Sequence, residues 1–193
     1  MNNGNYDKLL YENKEISCKT TRIPGLLYFD LVLSGDERGW FKESFQLEKL
    51  RKAGLPEDFV PVQLSVSANK ERGVTRGIHA EPWSKFISIQ TGEVFAAIVD
   101  LREGETFGMV ETFELNPQKA IFVPEGCANS FQTLTPDVLY TYLVSAHWSP
   151  EAKYRLVNLA DPELGIDWPI PLSEAVVSEK DKSHPFLKDL LPN

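Results

Sequence analysis

Residues 60–144 decide the fold: VPVQLSVS (60–67), KFISIQ (85–90), EVFAAIVDLR (93–102), MVETFEL (109–115), AIFVP (120–124), SFQTL (130–134) and VLYTYLV (138–144). Each run is short and rich in Val, Ile, Phe and Tyr. Turn residues break the chain about every 8–12 positions, as in an all-β protein. The breaks fall at Lys70–Gly73, Thr91–Gly92, Glu103–Glu105, Asn116–Pro117, Pro124–Gly126 and Thr135–Pro136, where Gly, Pro and Asn favour turn geometry. Val94 to Val99 (VFAAIV) is apolar at every position, so this strand is expected to be covered on both faces. The reading is a mainly β protein, an antiparallel jelly-roll barrel or sandwich with a few short helices.

Outward from this region, one helix is expected at Gln46–Ala53 (QLEKLRKA), with Leu47 and Leu50 on one face, Gly54 as the stop and Pro56 preventing continuation. Residues 1–20 read as a polar N-terminal arm, docked on a partner subunit or disordered. Residues 21–193 read as a single domain. Its C-terminal segment after Trp148, with Pro at 150, 162, 169, 171, 185 and 192, is expected to wrap the barrel as loops and short helices.

A chain of 193 residues is long enough for one compact domain. Its 28 acidic and 20 basic residues give a net charge of -8. That balance argues against a general binder of nucleic acid or anionic membrane, and an anionic ligand would have to be held by a few placed Arg and Lys. The two cysteines, Cys18 and Cys127, form no CxxC or Cys/His cluster, so neither a disulfide framework nor a Cys-based zinc site is expected. The opening MNNGNYDKLLYENKE lacks the apolar stretch of a signal peptide, and Val94–Val99 is far short of a membrane span. The expected location is cytoplasmic.

Of three histidines, His79, His147 and His184, the first lies in Arg76-Gly77-Ile78-His79-Ala80-Glu81-Pro82-Trp83-Ser84-Lys85. On a regular strand Arg76 and His79 face opposite ways. Both reach one pocket only if the strand bends at Gly77. Without that bend, His79 reads as a hydrogen-bonded strand histidine. Metal-binding jelly rolls of the cupin type carry two His separated by one residue, a Glu and a later His. Here the pair is broken at Ala80–Glu81, and Asn129 stands at the later position in Pro124-Glu125-Gly126-Cys127-Ala128-Asn129. No metal is expected, since one His with an amide is a poor ligand set. His79 acting as a base would then need a carboxylate to orient it, and spacing does not choose among the 28 acids. Tyr140 and Tyr142 face one side of their strand, and either can present a phenol or cap the core. His184, before Pro185, reads as a surface residue, and His147 as a loop residue or a stacking partner for a base.

The segments Asp36-Glu37-Arg38-Gly39-Trp40-Phe41-Lys42-Glu43, Gln63-Leu64-Ser65-Val66-Ser67, Arg76-Gly77-Ile78-His79, Val99-Asp100-Leu101-Arg102, Phe122-Val123-Pro124-Glu125-Gly126 and Ile166-Asp167-Trp168-Pro169 follow one another in the order seen in the dTDP-4-dehydrorhamnose 3,5-epimerases. The resemblance covers roughly residues 22–187. It implies a cupin-like, metal- and cofactor-independent isomerase acting on a nucleotide sugar. By that resemblance His79 is the base, Asp181 of Ser178-Glu179-Lys180-Asp181 its partner, Tyr142 the acid (Tyr140 if the register shifts by two), and Lys85 a cation near the sugar C4 oxygen. Arg38 and Arg76 match diphosphate contacts. Glu43, Gln63, Ser65, Asn129 and Trp148 match or neighbour other substrate-facing positions. Departures from the family pattern include Ser65 in place of Asn, Asn129 in place of His and His147 in an aromatic pair.

The implied reaction inverts C3 and C5 of a 4-keto-6-deoxyhexose, converting dTDP-4-dehydro-6-deoxy-glucose to dTDP-4-dehydro-L-rhamnose. Alternatives are inversion at C3 or C5 alone, a CDP or GDP sugar, a keto-isomerase, or a non-catalytic sugar-binding cupin. The resemblance also implies a homodimer with an exchanged N-terminal strand, for which residues 22–33 (RIPGLLYFDLVL), mostly apolar on both faces, are suited.

Overall fold

The computed structural model of the chain describes residues 8–190. The strands are β1 (Lys8–Glu12), β2 (Ile16–Thr20), β3 (Leu27–Leu31), β4 (Ser34–Asp36), β5 (Gly39–Phe41), β6 (Gln63–Asn69), β7 (Val74–Ala80), β8 (Lys85–Thr91), β9 (Val94–Asp100), β10 (Val110–Leu115), β11 (Lys119–Val123), β12 (Cys127–Thr133), β13 (Val138–Val144), β14 (Arg155–Leu156) and β15 (Val176–Val177). Helix α1 spans Leu47–Ala53 and α2 spans Glu179–Lys182. A 3₁₀ turn covers Leu187–Leu190. Among the described residues, no helix is long and apolar enough to cross a membrane.

A seven-stranded sheet runs β1-β2-β3-β11-β8-β13-β6, and a second runs β10-β9-β12-β7-β14 with β15 also on β7. Every pairing is antiparallel except β15 with β7. The fold is the expected jelly roll of two facing sheets. Side-chain alternation fills the space between them. Ile87 and Ile89 of β8 and Val138 and Tyr140 of β13 meet Ala96 and Ile98 of β9 and Phe131 of β12 in one core.

Strand β9 shows why a run of apolar residues needs cover on both faces. Ala96 and Ile98 enter the central core, whereas Val99 joins Ile78, Ala128, Val157 and Leu159 in a cluster roofed by the C-terminal segment. The tail therefore does wrap the barrel, and it adds β14 and β15 to the sheet as well. The far face of the large sheet packs Phe29, Phe86 and Phe122 against Leu50 and Ala53 of α1. This helix begins and ends where expected. The Gln46 side chain accepts from the Lys49 amide at 2.7 Å, and Gly54 ends it in the left-handed conformation at φ 118°. Burying Leu50 contributes about 1.5–3 kcal/mol.

Residues 8–20, expected as a polar arm, instead form β1 and β2, with β2 hydrogen-bonded to β3. The reason is packing: Ile16 and Cys18 are buried beneath α1, a pattern of apolar residues two apart inside an otherwise polar stretch. Residues 1–7 of that arm lie outside the described residues. The segment 22–33, expected as an exchanged strand, contains β3, which is held between β2 and β11 of its own sheet with Leu27 and Phe29 buried.

One irregularity positions the functional site. Asn129 pairs with His79 and Phe131 with Arg76, so β7 spends one more residue than β12 over this stretch. The bulge contains Gly77 at φ +130°. It reverses the side-chain parity, which is the bend needed to bring Arg76 and His79 to one cavity. A Cβ on Gly77 would stand 2.3 Å from the Ser130 Cβ and 2.7 Å from its Cα. Gly77→Ala is therefore expected to cost at least ~2 kcal/mol in urea unfolding, combining backbone strain with overpacking. Gly104→Ala, at φ +139° with nothing within 4 Å of the added Cβ, should show only the backbone part.

Candidate active site

The inner faces of both sheets turn polar at one end of the sandwich. Lys85 follows the parity of Ile87 and Ile89 on β8, Tyr142 that of Val138 and Tyr140 on β13, and Asn129 that of Phe131 on β12. With His79, Arg76 and Glu81, these residues line a cavity of about 290 Å³, closed on the tail side by Ser178 and Asp181.

The tail reaches His79 through a short, well-capped turn. Ser178 Oγ accepts from the Asp181 amide at 3.1 Å, which is the N-cap of α2. Asp181 Oδ1 then stands 2.9 Å from His79 Nε2. Burial pushes the Asp181 pKa up, but hydrogen bonds from His79 and Ser178 outweigh it and hold the carboxyl below its ordinary value. An imidazole with its Nε2 proton directed at this carboxylate keeps the Nδ1 lone pair free to take a proton.

On the facing sheet, Lys85 is buried and its ammonium pairs with the Glu81 carboxylate and donates to Asn129 Oδ1. Burial lowers its pKa, opposed by the charge and hydrogen bond of Glu81. Tyr140 and Tyr142 differ clearly. Tyr140 is 1% exposed, stacks on Phe131 at 4.1 Å and receives a long 3.4 Å hydrogen bond from Asn129. Tyr142 is half-buried and lies opposite Ser65, its register partner on β6. Burial, then the Glu81 charge, raise the Tyr142 pKa, so the phenol holds its proton at neutral pH.

The other expected contacts divide. Gln63, Ser65 and Ser67 alternate along β6 with exposed Leu64 and Val66. Ser67 lines the cavity, and Gln63 bonds both Ser65 at 3.1 Å and the Trp148 amide at 3.0 Å. Arg76 lines the cavity with its Nε on Asn69 at 3.0 Å. The ring of Trp148 is exposed, as is His147. Arg38 and Glu43 do not reach this cavity. Arg38 pairs with Asp36 in the exposed β4–β5 hairpin, and Glu43 pairs with Lys49 beside α1.

Several residues escaped the sequence reading. Ser67 and Glu81 carried a signal, since each lies two residues beyond a candidate on the same strand face. Ser178 became visible only as the cap. His184, expected on the surface, is buried, with Nε2 3.8 Å from Asp181 Oδ1. The Asp100–Arg102 segment is structural. Asp100 is fully buried and accepts from the Arg102 amide and guanidinium and from Thr106.

A sequence profile described as dTDP-4-dehydrorhamnose 3,5-epimerase matches residues 20–189. The chain belongs to the dTDP-4-dehydrorhamnose 3,5-epimerase family. It is an isomerase by that membership. Among members of the family, a Streptococcus pyogenes protein described as an RmlC homolog is 49% identical, covering 93% of this chain and 94% of its own. RmlC from Streptococcus suis, solved in complex with dTDP-D-xylose, superposes with a TM-score of 0.88 at 48% identity over 95% of this chain and 97% of that one. The Legionella pneumophila epimerase, solved with dTDP-4-keto-L-rhamnose, gives a TM-score of 0.83 at 30% identity, covering 92% and 95%.

Asp181→Asn should leave the fold intact and lower kcat by about 10²–10⁴, because the amide no longer orients the imidazole as a base. It should also flatten the acid limb of stability. A carboxyl with a depressed folded pKa contributes stability above its unfolded value of about 3.9, and that contribution disappears as pH falls through the folded value. Urea unfolding across that range should show wild type losing more stability than Asp181→Asn.

Proposed function

We propose that this epimerase inverts C3 and C5 of dTDP-4-dehydro-6-deoxy-glucose to give dTDP-4-dehydro-L-rhamnose. The observation that carries this reading is the placement of the His79–Asp181 pair on one sheet and Tyr142 on the other, around one cavity that also holds Lys85. The dTDP-sugars bound to the two solved relatives support the nucleotide and the sugar class.

Both C3–H and C5–H are alpha to the C4 carbonyl. His79 Nδ1 takes the proton, the C–H electron pair forms the C=C bond of an enolate, and the carbonyl pair moves onto O4. Lys85 donates to O4, an interaction worth about 3–4 kcal/mol in oxyanion sites. Tyr142 then delivers its phenolic proton to the opposite face as the C4 carbonyl re-forms; it recovers a proton from solvent, and His79 releases the one it took to solvent. A binding protein would have no use for a base and an acid on facing sheets. Arg76 is placed for the diphosphate as a charged fork, with Gln63, Ser65 and Asn129 around the sugar and Trp148 available to stack on the base. The local Arg and Lys offset the net negative charge of the chain.

Arg38 and Glu43 join this scheme through a second copy. Edge strand β6 exposes Leu64 at 61% and Val66 at 59%, next to exposed Val60 and Val62, and an apolar edge of this kind requires cover. A homodimer packed on β6 covers it and brings the partner's β4–β5 hairpin, with Trp40 and Phe41 exposed, to the cavity mouth. The exchanged element is then this hairpin rather than residues 22–33. The buried free thiols of Cys18 and Cys127 fit a reducing, cytoplasmic location.

In deuterated water, NMR should show deuterium entering C3 and C5 of dTDP-4-keto-6-deoxyglucose with wild type, reduced about 10²–10⁴-fold by His79→Ala. Tyr142→Phe should still exchange deuterium but fail to invert, whereas Tyr140→Phe should do both. Inversion lost in Tyr140→Phe and kept in Tyr142→Phe would reverse that assignment. Deuterium at C3 alone would restrict the reaction to one centre, and exchange only with a CDP or GDP sugar would change the nucleotide. The double variant Leu64→Glu/Val66→Glu should sediment as a monomer and lose substrate affinity, because Arg38 and Glu43 no longer reach a partner's cavity.

A further inference from the structure

His184 follows the Ser183 C-cap of α2, and its side chain is 5% exposed. It meets the His79 ring edge-on, with 5.3 Å between centroids. Its Nε2 approaches the same oxygen of Asp181 that holds His79, at 3.8 Å against 2.9 Å. Neither ring nitrogen makes a well-formed hydrogen bond, although the Val157 backbone lies within reach. Buried imidazole nitrogens left this way carry a desolvation cost without a compensating partner. The epimerisation chemistry does not use them.

We propose that His79, Asp181 and His184 form a site for Zn²⁺, and that its occupation switches the enzyme off. Two imidazole nitrogens and one carboxylate oxygen are the donor set of three-ligand zinc sites, which leave a fourth position to solvent. The three ligand atoms lie within 4.8 Å of one another. Bonds of about 2.0–2.1 Å require ligand separations near ~3.3 Å in a tetrahedron, so the two histidine–carboxylate distances already bracket that value. The half-exposed His79 and the Asp181 carboxylate both line the cavity, which provides the entry path.

Zn²⁺ bound at His79 Nε2 displaces the proton shared with Asp181. The neutral ring then carries its only proton on Nδ1, so the lone pair that removes C3–H or C5–H is gone. Binding rests on the geometry of the three side chains, while inhibition rests on the proposed role of His79 as base.

Calorimetric titration of chelator-treated, full-length protein with ZnCl₂, and with MgCl₂ in parallel, tests the site. Zn²⁺ should bind at a single site per chain. Mg²⁺ should not compete, since it demands oxygen ligands. His184→Ala and His184→Gln should each weaken Zn²⁺ binding by more than about tenfold, the loss seen even for outer partners of a metal site. Circular dichroism identifies whichever variant is folded, and the glutamine keeps much of the buried volume. Undiminished Zn²⁺ affinity in a folded variant, or Mg²⁺ binding of equal strength, would overturn the site. In the deuterium assay Zn²⁺ should abolish exchange and EDTA should restore it. Tight Zn²⁺ binding with full exchange would retain the metal site but remove both the switch and the assignment of His79 as base.

Discussion

The close approach of Gly77 to Ser130 governs the functional end of this molecule. Only a residue without a Cβ fits at that point, and its positive φ lets β7 carry one extra residue against β12. The consequence is electrostatic as well as steric. A regular strand would direct Arg76 and His79 to opposite faces, one into the core and one towards the C-terminal segment. The bulge brings a guanidinium and an imidazole to the same cavity while Ile78 and Ala80 stay buried in the outer cluster. Stability and function therefore share one local geometry.

From that point the site is assembled by opposing surfaces. The six-stranded sheet that contains β7 presents His79 and Asn129, and the facing sheet presents Lys85 and Tyr142. The two Tyr residues of β13 show how depth separates roles along one strand. Both line the cavity, but Tyr140 is almost wholly enclosed and stacked on Phe131, whereas Tyr142 is half-buried and lies opposite Ser65. Lys85 is tolerated in a buried position because Glu81 pairs with it and Asn129 accepts from it. The C-terminal segment completes the arrangement. Its apolar residues cover β9 and β12, and the capped turn at Ser178 then sets Asp181 behind His79.

The family motifs separate into those that build the barrel and those that face the cavity. Val99-Asp100-Leu101-Arg102 closes the β9–β10 connection through buried Asp100, and Trp168 ties its indole to the Leu159 carbonyl at 3.0 Å. Gln63-Leu64-Ser65-Val66-Ser67 does two jobs because side chains alternate: Ser65 lies opposite Tyr142 and Ser67 lines the cavity, while Leu64 and Val66 face solvent. The DERG hairpin does neither within its own chain, where Arg38 pairs with Asp36 and stays exposed.

Periodicity and turn chemistry by themselves determined the jelly roll, the doubly covered β9 and helix α1 with its glycine stop, because each is a local pattern of apolar and turn residues. Resemblance to a family pointed to His79, Lys85, Tyr142 and Asp181 as a set. Strands β1 and β2 were not legible as part of the sheet, since their few buried residues sit among polar ones and gain meaning only under α1. Tertiary structure alone decided that Arg38 and Glu43 stand apart from the cavity, that of the two lining tyrosines Tyr140 is enclosed and Tyr142 half-buried, and that His184 is buried beside Asp181. The physical reason is common to all of them. Which residues lie along one strand follows from local spacing, but which side chains meet across sheets, and how deeply, follows from packing between segments far apart in the chain.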